Sequence, residues 1–195
     1  MSESSKPRLP RATEMAHRLL AERLRPGDLA IDATVGNGHD TVFLAEAVGQ
    51  AGQVIGFDIQ PIAIEATRHR LSEAGLSDRV ELHTECHSRM EAILVGPGVS
   101  ARTITFNLGY LPGGDKAKVT RTETTLLALE ASLRLIASGG LLTIVAYPGH
   151  PEGKEECRAV EAWSAELSQT RYSVAIYRFL NQVNDPPILL AIDRR

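Results

Sequence analysis

The sequence predicts an α/β fold: a doubly wound, mostly parallel seven-stranded sheet with an antiparallel edge strand. Three observations predict it. Short apolar runs alternate with helical patterns along the chain, the mark of strand–helix–strand units. Leu141–Ala146 is apolar throughout, which fits a strand covered on both sheet faces. The chain closes with two β-like runs, Val174–Leu180 and Ile188–Ile192, with Asp185-Pro186-Pro187 between them, which suits an antiparallel pair at one edge.

The elements follow in order. Thr13–Leu24 reads as a leading helix stopped by Pro26-Gly27. Strand one is Leu29–Asp32, and a helix from about Asp40 to Val48 ends at Gly49. Strand two is Val54–Asp58. Pro61 suits the first position of the next helix, which runs to about Ala74 and stops at Gly75. Val80–His83 and Thr103–Asn107 are strands three and four. Leu126, Leu129, Leu133 and Ile136 are spaced 3, 4 and 3, which predicts one apolar helical stripe closed by Gly139-Gly140. Val160, Trp163 and Leu167 mark one face of a further helix. Residues 1–10 read as a mobile tail and residues 11–195 as one domain.

The composition is that of an ordinary globular chain, with 43% hydrophobic and 23% charged residues. The net charge of −3 does not suit a general nucleic-acid binder, so any RNA contact must come from a local patch. Cys86 and Cys157 lack metal-type spacing and suit a reducing compartment with neutral packing roles. The N-terminus has no long apolar run. The expectation is a cytoplasmic protein with neither signal peptide nor membrane span.

Strand one runs into Asp32-Ala-Thr-Val-Gly36-Asn37-Gly38-His-Asp40-Thr41, a glycine turn that opens a helix. Such a turn gathers backbone N–H groups and a helix N-terminus over one small space. Gly36 and Gly38, lacking a Cβ, let the backbone approach a ligand closely. Asp58, which lies 22 residues after Gly36 at the end of strand two, can accept hydrogen bonds from both hydroxyls of a ribose. Together these read as a nucleoside-cofactor site. A dinucleotide fingerprint wants Gly or Ala where Thr41 stands. An acid at Asp32 repels a pyrophosphate but suits a cation, so S-adenosylmethionine fits better than NAD. Asp40, Thr41, Ile59, Gln60, His87 and Asn107 complete the expected cofactor contacts.

Two loops at the carboxyl ends of later strands have unusual content. After strand four comes Asn107-Leu108-Gly109-Tyr110-Leu-Pro112-Gly-Gly-Asp-Lys116; after strand five, Tyr147-Pro-Gly-His150. The Asn107 side-chain oxygen, with the Leu108 carbonyl, can accept hydrogen bonds from an amine and hold its lone pair toward a methyl group. Tyr110 can stack on a base, Tyr147 forms a second wall, and His150 can take a proton from an ammonium, cap the following helix or bind a phosphate. Lys116, Lys118, Arg121, Lys154 and Arg158 form a basic cluster that either neutralises RNA phosphates or is a solvated helix start. His83 and His87 lie four apart without a third ligand near in sequence, so no metal is expected.

These motifs resemble a bacterial family earlier labelled ribosomal-RNA methylases and understood as transfer-RNA wobble-uridine methyltransferases. The matching stretches are Asp-Ala-Thr-x-Gly-Asn-Gly-His-Asp, Phe-Asp-Ile-Gln, Asn-Leu-Gly-Tyr-Leu-Pro-Gly-Gly-Asp-Lys and Tyr-Pro-Gly-His-x-Glu-Gly, with a terminal Asn181…Pro186-Pro187 pattern. The resemblance implies a Rossmann-like class I S-adenosylmethionine enzyme. It implies methylation of the amine of 5-aminomethyl-2-thiouridine in the anticodon arm of a transfer RNA. It implies that Asp32, Gly36, Asn37, Gly38 and Asp58 bind the cofactor and that Asn107 and Tyr110 face the modified base. It also implies a homodimer. The rivals are a methyltransferase of ribosomal RNA or of a small metabolite, and a non-catalytic nucleotide- or RNA-binding module.

Overall fold

The computed structural model describes residues 9–94, 99–111, 113, 119–149 and 151–195. Helix α1, Ala12–Arg23, buries Ala12, Ala16 and Leu20, a stripe at four-residue spacing. Gly27, at φ +94°, turns the chain into β1, Leu29–Asp32. Helix α2 spans His39–Val48, β2 Gln53–Phe57, α3 Pro61–Glu73 and β3 Val80–His83. A 3-10 turn at His87–Arg89 leads into the short α4, Met90–Ile93. The second half runs β4 Ala101–Leu108, α5 Thr122–Leu135, β5 Ile136–Ala146, α6 Pro151–Ala165, β6 Tyr172–Tyr177 and β7 Ile188–Arg194.

The seven strands form one sheet in the order β3-β2-β1-β4-β5-β7-β6. The pairs β1–β2, β1–β4, β2–β3 and β4–β5 are parallel; β7 runs antiparallel to both β5 and β6. The expected antiparallel pair therefore closes one edge, with β7 inserted between β5 and β6. Alternate residues of each central strand feed opposite cores. Ile31, Ile55, Phe57, Ile104, Phe106, Leu142 and Ile144 meet α5, α4 and α6 on one face. Ala30, Val54 and Leu141 meet Leu20 and Leu24, with Leu44, Val48 and Leu71, on the other. Burying one such Leu or Ile contributes about 1.5–3 kcal/mol, so both faces are needed to hold a parallel sheet.

Two sequence expectations change. The α5 stripe ends one turn early: Ile136 opens β5 rather than closing the helix, and Gly139-Gly140 lies inside the strand. The register with β4 shifts there, between the pairs Ala101↔Ile136 and Thr103↔Leu141. Gly139 takes φ +71°, and a Cβ on Gly140 would meet the Arg102 carbonyl at 2.9 Å. The glycines thus make a bulge. The other change is at β6, which ends at Tyr177, so Arg178–Leu180 leave the sheet.

Candidate active site

The strand order reverses at β1, which pairs with β2 on one side and β4 on the other. Open α/β sheets hold ligands beyond the strand ends at such a switch point. Backbone bonds shape the turn after β1 there: Ala33 N donates to the Thr105 carbonyl at 2.9 Å and Val35 N to the Phe57 carbonyl at 3.0 Å. Gly36 and Gly38 take φ +53° and +79°. Their reasons differ. Gly36 lines the crevice. Gly38 is buried against α3, where a Cβ would lie 2.6 Å from Thr67 Oγ1; its need is helix packing rather than ligand approach, a correction to the sequence reading.

Two cavities meet at this point. The first, about 270 Å³, is walled by Asp58, Ile59, Gln60, Glu85, Cys86 and His87. The second, about 420 Å³, is walled by Asn37, His39, Asp40, Tyr147 and Asp185. Thr34, Gly36, Asn107, Gly109 and Tyr110 border both.

In the first cavity, Asp58 Oδ2 accepts from Gly36 N at 2.9 Å and Oδ1 from Gln60 N at 2.8 Å. Burial raises its pKa, against the pull of these two amides. Each oxygen keeps acceptor capacity for a ligand hydroxyl. Ile59, 54% exposed, offers an apolar face beside it. His87 is buried, and desolvation lowers its pKa to about 4, so the ring is neutral at pH 7. Its Nδ1 lies 3.3 Å from the Ala33 carbonyl and takes the donor role. That leaves Nε2 an acceptor, with no partner among the described residues.

Asn107 stands between the two cavities. Its backbone N donates to Thr34 Oγ1 at 2.7 Å, tying the tips of β1 and β4 together. Its side-chain Nδ2 donates to Asp40 Oδ2 at 2.6 Å. Asp40 Oδ1 in turn meets His17 Nε2 of α1 at 2.7 Å, and the His17 ring stacks on Phe43 with centroids 4.2 Å apart. The hydrogen bond to Asp40 raises the His17 pKa. Burial alone raises Asp40, but the bond and charge of His17, helped by Asn107, outweigh it and hold the carboxyl low. With its nitrogen committed to a carboxylate, the Asn107 amide has Oδ1 left as an acceptor at the cavity wall.

Tyr110 is 41% exposed at the mouth and forms an isolated bridge with Val119. Thr120 N donates to the Gly109 carbonyl at 3.0 Å, and buried Glu156 accepts from Thr120 Oγ1 and Thr125 Oγ1, each at 2.6 Å. Both ends of the Gly109–Thr120 loop are thereby held. Tyr147 packs over Gly109, and burial, with the Asp40 charge, raises its pKa.

Not every expected site residue reaches the crevice. Asp32 is fully buried, accepting from Thr34 N at 3.2 Å and from the Thr41 hydroxyl at 2.7 Å. Thr41 is buried too, so this pair supports the turn from beneath and borders neither cavity. Burial, then the Asp40 charge, raises the Asp32 pKa to about 7. Leu108 turns its side chain into the core, 1% exposed, and borders neither cavity. Lys154 pairs with Asp185 at 2.8 Å. Pro112, Lys116, Lys118 and His150 lie outside the described residues.

The sequence reading missed His17, Thr34, Glu156 and Asp185. Only the threonine carried a signal, its place in the glycine turn. Among the described residues no three His, Cys, Asp or Glu side chains gather into a metal-type group, and no helix is long and apolar enough to cross a membrane.

Comparison with known proteins bears on the family and the fold. Residues 54–193 match the family described as "Putative rRNA methylase". The chloroplastic tRNA (mnm(5)s(2)U34)-methyltransferase of Arabidopsis thaliana is 40% identical over 192 residues, spanning 94% of this chain and 70% of that protein. A "putative rRNA-methylase" of Clostridium thermocellum superposes with a TM-score of 0.94 at 38% identity, covering 97% of this chain and all of that one. A "putative methyltransferase" of Streptococcus mutans in complex with SAH superposes with a TM-score of 0.87 at 34% identity, over 96% of this chain and 100% of that chain.

Proposed function

This chain belongs to the rRNA methylase family, and from that premise we propose that it methylates the aminomethyl nitrogen of a wobble uridine, or 2-thiouridine, in transfer RNA. It is a methyltransferase that depends on S-adenosylmethionine. The first cavity suits that cofactor. Asp58 would take the ribose hydroxyls, Ile59 and the neutral His87 ring the base, and Gly36 and Asn37 the main-chain contacts. When bound, the cofactor supplies an electrophilic methyl group: the amine nitrogen forms the new N–C bond as the C–S bond breaks, and the nitrogen gives up a proton.

The observation that carries the finer reading is the Asn107 amide. Asp40 holds its nitrogen, so the oxygen accepts from a substrate N–H between the two cavities. That bond orients the nitrogen lone pair, and orientation alone can remove several kcal/mol of barrier. Asp40, held ionised by His17, adds negative charge that favours an incoming ammonium, which loses a proton to solvent before the neutral amine attacks. Tyr110 and Tyr147 offer aromatic faces to a base splayed from an RNA loop. No covalent enzyme intermediate is required, and burial, with the Glu156 charge, pushes the Cys157 thiol up to about 12, away from a nucleophilic thiolate.

Mass spectrometry of bulk transfer RNA from a deletion strain tests the reading. Accumulation of the unmethylated aminomethyl nucleoside is expected, and labelled cofactor should transfer its methyl to that RNA with purified protein. An unchanged nucleoside profile would sink the proposal. The family description favours a second reading, methylation of ribosomal RNA, and the same labelling assay with ribosomal RNA decides it.

A further inference from the structure

A third cavity, about 730 Å³, opens beside the second and shares Thr13, Tyr147 and Pro187 with it. Its other walls include Arg11, Phe179, Asn181 and Gln182. The strap from Arg178 to Pro187 that carries three of these residues is held at several points. The Tyr177 hydroxyl donates to the Pro10 carbonyl at 2.6 Å, and the Tyr177 ring meets Phe179 edge-on with centroids 5.5 Å apart. Lys154 pairs with Asp185, which sits in the left-handed region at φ +47°.

The polar groups here are unspent. Asn181 and Gln182 are exposed, and their amides have no hydrogen-bond partner among the described residues. The Arg11 guanidinium is exposed and has no acidic partner among them either.

We propose that this groove is a subsite for the nucleotide next to the target nucleoside in a single-stranded RNA loop. The inference rests on the RNA reading above and adds where the polymer leaves the acceptor cavity. A target nucleoside is one unit of a chain, so its neighbour must lie at a mouth of the second cavity, and this groove is continuous with that cavity. The lining is mixed as a base requires. Phe179 supplies a stacking face already fixed by Tyr177, so little side-chain entropy is lost on binding. The two amides can each donate to and accept from a base edge. Arg11 meets the phosphate. A peptide partner would ask for a more continuous apolar lining.

The test uses the full chain, S-adenosylmethionine and an anticodon stem-loop carrying the aminomethyl uridine. Phe179→Ala should raise KM for the stem-loop roughly tenfold and leave cofactor affinity in place, and Phe179→Tyr should restore the wild-type KM because the stacking face returns. Arg11→Ala should weaken stem-loop binding and lower its logarithmic salt slope by about one. Wild-type KM in Phe179→Ala and Arg11→Ala, with active wild-type enzyme, overturns the subsite alone. If wild-type protein methylates another acceptor but never the stem-loop, the RNA reading itself fails and the subsite falls with it.

Discussion

Around the tips of β1 and β2 the crevice is held in shape by main-chain groups; around β4 and β5 it is held by side chains that reach in from elsewhere. Gly36 N and Gln60 N hold Asp58, and the turn before it hangs on bonds to Thr105 and Phe57. Asn107, by contrast, depends on Asp40 of α2 and His17 of α1, and the loop after it depends on Glu156 of α6. The first arrangement comes with the fold and suits a donor common to many reactions. The second must be specified residue by residue, as the proposed acceptor site would require. Chemistry should therefore be lost by single side-chain changes in the second region, and donor affinity by changes in the first.

The largest effect should come from Asn107→Ala. Turnover should fall at least about 100-fold, roughly 3 kcal/mol for a preorganised polar contact to the reacting group, while calorimetric cofactor affinity survives. Near-wild-type turnover in this variant removes Asn107 from the mechanism and breaks the contrast.

The next effect is on stability, beneath the first region. Asp32 keeps its proton to about pH 7 in the folded protein, whereas the unfolded chain loses it near the ordinary value of 3.8. The native state thus binds more protons between those values, and stability falls as pH rises through the window. From pH 5 to 8 the loss should be about 2–3 kcal/mol, at 1.36 kcal/mol per pKa unit. His17, raised by Asp40, works in the same direction: its stabilisation is full below the ordinary histidine value and is lost as pH climbs through the raised one. Asp58, also raised, adds to the trend. Asp32→Asn should flatten the larger part of the slope in denaturant titrations, and an unaltered slope would contradict the assignment.

Asp58→Ala should weaken cofactor binding by roughly 1–3 kcal/mol through lost charge-assisted bonds, with a smaller change in turnover at saturating cofactor. A change in turnover with unaltered affinity would reverse the division of labour drawn here. The smallest effect belongs to His17→Gln. It removes one hydrogen bond that positions Asp40, so kcat should drop about fivefold, near 1 kcal/mol, with cofactor affinity unmoved. If cofactor affinity falls instead, the His17–Asp40 pair belongs to the donor region.

The same contrast explains what could be read from the chain beforehand. Strands with continuous apolar runs, glycine turns and a helix opened by Pro61 announce themselves locally, so the sheet and the Asp58 end of the crevice were legible. The Asn107–Tyr110 loop stood out by its residue types. His17 did not, because a lone histidine on an amphipathic helix has no local mark and gains its meaning only when α1 lies beside α2. Glu156 was hidden for the same reason, 36 residues from Thr120. Asp32 misled the reading: an acid at a strand end looks like a ligand contact until Thr34 and Thr41 occupy it. Ile136 misled it too, since apolar spacing cannot tell the last turn of a helix from the first residue of a buried strand.

Helix α1 also sets a timetable for the newborn chain. It is made before the strands it packs on: Ala12 and Ala16 meet Val145 and Leu189, and Arg23 pairs with Asp193 at 2.6 Å. The platform it docks on is completed only once β7, Ile188–Arg194, has been made. Until the ribosome releases that strand, His17 lacks the seat that steadies it.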